Sequence, residues 1–492
     1  LPPRNGRRRC LLSEKDSERM PKLVIKTITQ TLGHQIADVT HGVTGLFSAP
    51  VIRLGVTGLS RAGKTVFITS LVANLLERGR MPGLEAARMG RIEAAYLQPQ
   101  PDDTVPRFDF ENHLSALTGA APHWPESTRA VSELRVSFRV RPGGLLAGLT
   151  GPRIVHLDIV DYPGEWLLDL GLLAQDYQTW SRAALARAAT RPEAAGYVQL
   201  VAQARPDAPQ DEPQLAALAK AWAAYLRAAQ EAGFADCTPG RFLLPGDLEG
   251  SPALTFAPLP PGPAPRGSLA RECERRFEAY KAQVVKPFFR AHFARIDRQV
   301  VLVDVLEAIH RGPEAMADLR QAMAAILAAF RPGRTGFLAG VMGQKRVDKI
   351  LFAATKADHL HHSQHDRLAA IMGALVNDAR RRADFAGART HAMALAALRS
   401  TVEESREIDG VMRDLVRGTL LETGAQVALH PGDLPQDPGQ ILAATQGGAP
   451  QWVSGDYAVM RFAPVAGTLR AGDGPPHIRL DRAAEFLLGD RM

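Results

Sequence analysis

Residues 58–65 match the pattern GxxxxGK[ST] of a phosphate-binding loop. In such a loop Lys64 supplies a positive charge to the β- and γ-phosphate oxygens, and the Thr65 hydroxyl can bind Mg²⁺. The apolar run 51–57 predicts a strand before the loop, and the pattern through Arg78 predicts a helix after it, whose N-terminus favours an anion. The backbone N–H groups expected to surround the phosphates belong to Ser60, Ala62, Gly63, Lys64, Thr65 and Val66. The segment therefore predicts nucleotide binding.

A second motif ends the predicted strand 154–160, where Asp161 is followed by Tyr, Pro, Gly164 and Glu165. A carboxylate at the end of an apolar strand is typical of a Walker B residue, which reaches Mg²⁺ through water. The DxxG spacing also predicts that the Gly164 N–H contacts the γ-phosphate, so that the following loop responds to hydrolysis. The alternative is an ordinary turn that begins with Asp161. Asp158 is expected to face the neighbouring strand or solvent.

Hydrolysis also requires a positioned water, and Glu165 stands where many Ras-like proteins have Gln. A glutamate could orient or deprotonate water, but its charge would face the γ-phosphate, so we expect slow turnover. The alternative is that Glu165 points to solvent or into the segment that follows. Arg61 and Arg129 are candidates for an internal arginine finger, with solvated side chains as the alternative.

The second protein ligand of Mg²⁺ is sought in the segment before the predicted strand 134–140. Thr128 is the choice, with Ser127 and Ser132 as rivals. A loop Ser or Thr is also a common turn or helix-capping residue.

The predicted strand 349–354 ends in Thr355, Lys356, Ala357 and Asp358, which matches the guanine-recognition pattern [NT]KxD. The carboxylate of Asp358 can accept hydrogen bonds from guanine N1–H and its exocyclic amine, while the Lys356 stem covers the base. Adenine offers no matching donors on that edge and would leave the carboxylate unpaired. After one more helix, the predicted strand 390–398 delivers Ala397, whose N–H is the candidate contact to guanine O6.

Four histidines follow Asp358, namely His359, His361, His362 and His365. His361 and His365 are spaced to share a helical face, so a metal site is one interpretation. The sequence favours the other one, a solvated loop beside the nucleotide site. Trp166 is expected to anchor the loop after Glu165 in an apolar pocket.

Length and pattern suggest how these motifs are organised. The chain of 492 residues is longer than a single hydrophobic core usually supports. We predict an α/β P-loop NTPase fold of Ras-like type, with a mixed, mostly parallel sheet flanked by helices and an inserted all-helical domain. The predicted segments are an extension at 1–19, a helical segment at 20–50, a nucleotide-binding domain in two parts at 51–165 and 299–420, the helical insertion at 166–298, and a C-terminal region at 421–492. Within them we expect an irregular connection at 77–123, a hairpin of strands 134–140 and 154–160 at the edge of the sheet, a helix at 269–295, a strand at 300–306 and a short strand at 459–463.

Composition limits the other options. The net charge of +7 mildly favours anionic partners, but no aromatic and basic stripe accompanies it, so the nucleic-acid signal is weak. Three cysteines without metal-like spacing fit a reducing compartment. No uninterrupted apolar stretch is long enough to span a membrane. We expect a cytoplasmic protein, with peripheral contact to the inner membrane through the arginine run 7–9 or the helical segment left open.

Four strings carry a resemblance to a known family, namely RLGVTGLSRAGKTVFITSL, LDIVDYPGEW, RQVVLVDVL and ATKADH. With them the chain resembles the YcjX-like family of P-loop GTPase-like proteins from about residue 20 to the C-terminus. The resemblance implies a stress-associated cytosolic NTPase with a Ras-like nucleotide domain that carries a helical insertion. It also implies a link to envelope stress and the phage-shock response.

These observations predict a Mg²⁺-dependent switch that binds GTP and GDP and hydrolyses GTP slowly. The helical insertion would present the nucleotide state to an unknown protein partner. One alternative is an ATPase with the same loop chemistry. Another is an interaction or scaffold protein that binds nucleotide without turnover, and a nucleic-acid GTPase ranks third.

Overall fold

The strands of this chain are built from apolar, β-branched runs, and the computed structural model describes most of them. It describes residues 49–59, 61–126, 130–143, 151–291, 295–329, 347–385, 387–445, 452–453, 455, 457 and 461–492. The predicted extension, the arginine run and the helical segment at 20–50 lie almost entirely outside these residues. Ser60, Ser127, Thr128 and Arg129 also lie outside them.

Within the described residues seven strands form one mixed sheet. They are β1 Val51–Gly58, β2 Ile92–Gln98, β3 Ser132–Val140, β4 Arg153–Asp161, β5 Arg298–Val303, β6 Lys349–Ala354 and β7 Arg389–Ala394. Their order across the sheet is β2-β3-β4-β1-β5-β6-β7. The pairs from β4 through β1, β5 and β6 to β7 are parallel, whereas β2 and β3 are antiparallel to their neighbours. Every residue of β5 and β6 is buried, as expected for strands covered on both faces.

Helices cover both faces of this sheet. The α-helices outside the segment between β4 and β5 are α1 Lys64–Glu77, α2 Glu85–Arg88, α3 Phe110–Thr118, α10 Val305–Arg311, α11 Pro313–Ala329, α12 His365–Leu375, α13 Asn377–Phe385, α14 Gly439–Ala444 and α15 Leu480–Leu488. Arg298 and Lys349, at the amino ends of β5 and β6, both form ion pairs with Asp490, which follows α15. The C-terminal helix is thereby fixed at the sheet edge opposite the strands' carboxyl ends.

The described chain between β4 and β5 contains helices and no strands. The α-helices are α4 Glu165–Leu168, α5 Tyr177–Thr190, α6 Ala195–Gln203, α7 Glu212–Glu231, α8 Leu269–Tyr280 and α9 Lys286–Ala291, joined in part by short 3₁₀ turns. In the centre of this helical segment, Trp180 stacks on Phe277 and meets Trp222 and Phe256 edge to face. One apolar cluster runs from these rings to Val301 and Val303 of β5. This helical segment therefore shares its core with one face of the sheet.

A second, smaller sheet follows the first. Its strands are β8 Val402–Ile408, β9 Val411–Thr419 and β10 Gln426–Leu429, in the order β10-β9-β8. Asp409 and Gly410 join β8 to β9 with positive φ angles of 50° and 77°. Asp-Gly with two positive φ angles is a strong hairpin signal. The sheet begins before the predicted boundary at residue 421 and continues past it.

Several expected elements differ from the structure. The segment 77–123, expected to be irregular, contains β2 and α3, and β2 lies outside β3, so the predicted hairpin of β3 and β4 is not the sheet edge. The helix expected over 269–295 is α8, a π-helical turn at Lys281–Val285 and α9. The strand expected over 300–306 ends at Val303, and α10 begins at Val305. Of the strand expected over 459–463, residues 459 and 460 lie outside the described part of the chain. Phe462, which is described, makes an isolated bridge to Leu420.

Other expectations agree with the structure. The strand predicted before the phosphate-binding loop is β1, the strand that ends in Asp161 is β4, and the strand before the TKxD string is β6. The helix predicted after the phosphate-binding loop is α1. Asp158 lies on β4 and pairs with Arg135 on the neighbouring β3, with Nε–Oδ1 2.6 Å. In the part of the chain that the structure describes, no helix has the length and apolar character needed to cross a lipid bilayer.

Candidate functional site

The phosphate-binding loop joins the central strand β1 to α1. Gly63 has a φ of 83°, a conformation that other residues rarely adopt, and it allows the chain to turn directly into the helix. The Lys64 ammonium donates to the carbonyl of Gly58 at 3.2 Å and so lies across the mouth of the loop. Within the described residues, α1 has no side-chain cap and no acidic residue in its first turn. Its first N–H groups are therefore suited to bind an anion.

The loop after β4 packs against the phosphate-binding loop. The register pairs Val56 of β1 with Asp161 of β4, which brings the two strand ends together. A Cβ atom on Gly164 would lie 1.9 Å from the carbonyl oxygen of Gly58, so only glycine allows this approach. Asp161 is 2% exposed and Thr65 is 7% exposed. Their oxygens are the hard donors that Mg²⁺ prefers, so these residues fit the predicted metal.

Glu165 points into the helical segment rather than to solvent. It is 6% exposed, and its Oε1 accepts a hydrogen bond from Gln230 Nε2 of α7 at 3.1 Å. Next to it, Trp166 donates its indole N–H to the carbonyl of Leu244 at 3.1 Å. The Arg241 guanidinium lies 3.3 Å from the centroid of the Trp166 ring. Trp166 is therefore an anchor, as predicted, and the pocket that holds it includes a cation as well as apolar groups.

The TKxD string forms the other end of the site. Lys356 has a φ of 60°, and its ammonium forms an ion pair with Asp304, which follows β5. Burial lowers the pKa of Lys356, but Asp304, Glu307 and Asp358 outweigh that effect, so the pKa is raised and the side chain stays charged. If the Lys356 stem covers a base, as predicted, it would do so while its ammonium is paired with Asp304.

Asp358 is held in place by a residue that the motif analysis missed. Its Oδ2 accepts from the backbone N–H of Ser400 at 2.9 Å and from the Ser400 hydroxyl at 2.6 Å. The Thr401 hydroxyl donates to the Asp358 backbone carbonyl. β7 ends at Ala394, before the predicted end at residue 398, so Ala397 lies in the loop after the strand. Ser400 and Thr401 follow in the same loop, and the signal in the sequence is a pair of hydroxyl residues just beyond Ala397.

These segments line one cavity of about 580 Å³. Its lining includes the predicted residues Arg61, Ala62, Gly63, Lys64, Thr65, Val66, Glu165, Lys356, Asp358 and Ala397. Asp161 and Gly164 are not among the lining residues and lie beneath the loop. The sequence also did not single out Gln230, Trp124 or Phe462 for this site, yet they reach the cavity.

Trp124 and Phe462 join distant parts of the chain at the cavity rim. The Trp124 indole N–H donates to the Phe462 carbonyl at 2.9 Å. The Phe462 ring meets His359 edge to face, with centroids 5.4 Å apart. Burial lowers the pKa of His359, which favours the neutral imidazole beside this ring. The segment before β3, the C-terminal region and the TKxD loop thus form one wall.

Comparison with known proteins agrees with the resemblance noted from the motifs. Residues 52–492 match the YcjX-like family, DUF463. A protein of Escherichia coli (strain K12) named Ras-like GTPase YcjX is 38% identical over 458 residues, which cover 90% of this chain and 96% of that protein. A protein of the same name from Shewanella oneidensis is 35% identical over 487 residues, which cover 93% of this chain and 98% of the relative. The chain therefore belongs to the YcjX-like family.

Proposed function

We propose that this chain is a Mg²⁺-dependent switch that binds GTP and GDP and hydrolyses GTP slowly, on a P-loop fold of Ras-like type with a helical insertion at 166–298. The observation that carries the proposal is the single cavity of about 580 Å³ that the phosphate-binding loop, Glu165 and the TKxD loop line together. The GTPase names of the two relatives support the same assignment.

Each end of the cavity would bind one part of the nucleotide. The N–H groups of Ala62 to Val66 and the Lys64 ammonium would bind the β- and γ-phosphates. Asp358, fixed by Ser400, would accept from the guanine N1–H and amine, and Ala397 would contact O6. Mg²⁺, held near Thr65 and Asp161 with Thr128 as a further ligand, would neutralise phosphate charge. Of these residues Thr128 lies outside the described part of the chain.

Slow turnover follows from the position of Glu165. Its buried carboxylate lines the same cavity as Lys64, so its negative charge opposes the charge that develops on the γ-phosphate. Arg61 also lines the cavity and is the described candidate for an internal arginine finger. Arg129, the other candidate, lies outside the described residues.

The helical segment would respond to the nucleotide through its contacts with the loop after β4. Glu165 contacts Gln230, and Trp166 contacts Leu244 and Arg241, directly after the glycine expected to sense the γ-phosphate. Release of that glycine on hydrolysis would therefore act first on these contacts. A protein partner that reads the shape of the insertion would then distinguish the two nucleotide states.

Equilibrium titration of the nucleotide-free chain with GDP, GTP, ADP and ATP, each with Mg²⁺, tests the proposal. We expect guanine nucleotides to bind about 10–100-fold more tightly than adenine nucleotides, because hydrogen bonds to a charged carboxylate contribute about 1.5–3 kcal/mol and adenine offers no donors to Asp358. Equal affinities would favour the ATPase alternative. Bound GDP with no release of phosphate from GTP would favour the scaffold alternative.

A further inference from the structure

A cluster of metal-binding side chains lies outside the nucleotide cavity, where the loop after β6 meets the small sheet. In the described part of the chain, His361, His362 and Glu403 each offer one ligand atom, and these atoms lie within 4.8 Å of one another. His362 Nδ1 is 2.6 Å from Glu403 Oε2, and His361 Nε2 is 3.8 Å from the same oxygen. Ligands of a tetrahedral Zn²⁺ lie about 3.3 Å apart when the bonds are about 2.0 Å long. The observed separations of 2.6 and 3.8 Å lie on either side of this distance.

His361 is oriented as a metal ligand would be. Its Nδ1 lies 2.9 Å from Ser363 Oγ and 3.2 Å from Asp414 Oδ2 on β9, while its Nε2 faces Glu403. The Ser363 hydroxyl donates its proton to Asp414 Oδ2, so its oxygen can accept from Nδ1, and the Asp414 carboxylate can only accept. Both neighbours favour the tautomer with the proton on Nδ1, which leaves a lone pair on Nε2. A longer contact of 3.4 Å from the Ser363 N–H to Nδ1 competes with this arrangement only weakly. A carboxylate behind a histidine is the usual support of a zinc-binding imidazole.

Asp414 and Glu403 are themselves held by neighbours. Asp414 accepts from the hydroxyls of Ser363 at 3.1 Å and Ser405 at 3.0 Å. The Arg399 guanidinium donates to Glu403 Oε1 at 3.2 Å, so only Oε2 faces the two imidazoles. The carboxylate is thereby prepared to bind a cation through one oxygen.

His365, which the sequence paired with His361, is not part of this cluster. Its Nε2 lies 2.8 Å from the Ala357 carbonyl and 3.2 Å from the Leu360 carbonyl, both acceptors, so that nitrogen carries a proton. It fixes the start of α12 instead. The second histidine of the cluster, beside His361, is His362.

We propose that His361 Nε2, His362 Nδ1 and Glu403 Oε2 bind one Zn²⁺ ion, with water as the fourth ligand. Two imidazoles and one carboxylate suit Zn²⁺, whereas Mg²⁺ and Ca²⁺ take oxygen ligands. When the ion takes the place of the proton between His362 Nδ1 and Glu403 Oε2, the neutral imidazole carries its proton on Nε2 instead. The ion ties the loop that carries Asp358 to β8, and thereby to the small sheet.

Calorimetric titration of the metal-free, tag-free full chain with Zn²⁺, in excess Mg²⁺, tests this site. We expect one tight site in the wild type and a loss of affinity of at least about 10–100-fold in His362→Ala and in Glu403→Gln. Asp414→Asn should retain the site but weaken it by about 10–100-fold. No tight site in the wild type, or variants that bind as the wild type does, would overturn the proposal.

Two controls keep the outcome specific. His123→Ala removes an exposed histidine remote in sequence from the cluster and should bind Zn²⁺ as the wild type does. The His362 side chain is 69% exposed, so its removal should leave the fold intact, as circular dichroism can verify. Zn²⁺ should raise the thermal midpoint of the wild type and not that of His362→Ala. An equal rise in both proteins would also contradict the proposal.

Discussion

At the scale of single residues, the site depends on side chains that are buried and held by defined partners. Asp358 is fixed by Ser400, and Glu165 by Gln230. Both carboxylates are nearly inaccessible to solvent, yet both reach the cavity. Their charge is therefore weakly screened, and changing either one should have a large effect on ligand binding or turnover.

The change Asp358→Asn tests guanine recognition. We expect the affinity for GDP to fall by about 10–100-fold, because a hydrogen bond to a charged group contributes about 1.5–3 kcal/mol. The weak affinity for ADP should hardly change, since adenine offers no donors to this carboxylate. Equilibrium titration of both nucleotides measures the difference. Asp378→Asn, on the exposed face of α13, is the matched control. Unchanged GDP binding would set the guanine assignment aside.

The change Glu165→Gln tests the inhibitory charge. Glutamine keeps an oxygen that can accept from Gln230 but removes the negative charge. We expect kcat for GTP hydrolysis to rise about tenfold, which corresponds to about 1.4 kcal/mol. Single-turnover phosphate release measures it. An unchanged rate would dismiss any catalytic role for this carboxylate.

At the scale of elements, strands β1 and β4 place the phosphate-binding loop and the loop after β4 against each other. Helix α7 contacts the loop after β4 from a distant part of the chain. Gly164 allows the close approach of the loops, and Gln230 provides the contact from the helix. This arrangement predicts that the helical segment and the loop after β4 act together.

A double-mutant cycle of Gln230→Ala and Glu165→Ala tests that connection. Since the two side chains share one hydrogen bond, we expect a coupling energy of about 0.5–3 kcal/mol in GTP turnover. Gln214→Ala, on the same helix, should show no coupling with Glu165→Ala. Additive effects of the first pair would mean that the helix does not sense this loop.

Much of the sheet could be predicted because its central strands are continuous apolar runs with a motif at the end of each. The strand over 349–354 coincides with β6 for this reason. By contrast, β8 is rich in Glu and Arg, with most positions at least partly exposed, so it lacks the apolar pattern of a strand. The sequence signal for the hairpin of β8 and β9 is the Asp409–Gly410 turn. Partners such as Gln230 and Ser400 could not be predicted because they depend on long-range packing.

At the scale of the whole molecule, one apolar cluster joins the helical segment to the sheet. Asp169, in the 3₁₀ turn after α4, is buried at this junction. It accepts from the Gly240 N–H at 2.7 Å and from the Tyr280 hydroxyl at 2.5 Å. Burial raises the pKa of Asp169 to about 6, although these two donors and Arg241 oppose the shift. The junction therefore carries a carboxylate that costs stability when it is ionised.

The stability of the protein should depend on pH through this residue. The folded-state pKa of about 6 lies above the ordinary value of 3.8 for an aspartate, so the folded state binds the proton more tightly. The contribution of Asp169 to the free energy of unfolding should therefore fall as pH rises from about 4 to about 6, and return on acidification. The change is at most about 3 kcal/mol, since each unit between the two pKa values is worth about 1.4 kcal/mol.

Denaturant unfolding of the wild type and of Asp169→Asn at several pH values measures this effect. The difference in stability between wild type and variant should shift in favour of the wild type as pH falls from about 7 to about 4. A difference that stays constant across this range would show that Asp169 does not titrate as proposed.

The proposed function requires that the phosphate-binding loop and the TKxD loop bind the two ends of one nucleotide. A crystal structure of the full chain with Mg²⁺ and GDP can establish this. We expect the β-phosphate within hydrogen-bonding distance of Lys64 and of the first N–H groups of α1, and the guanine N1–H and amine on Asp358. A nucleotide bound elsewhere, or one whose base does not contact Asp358, would show that the proposed site is wrong.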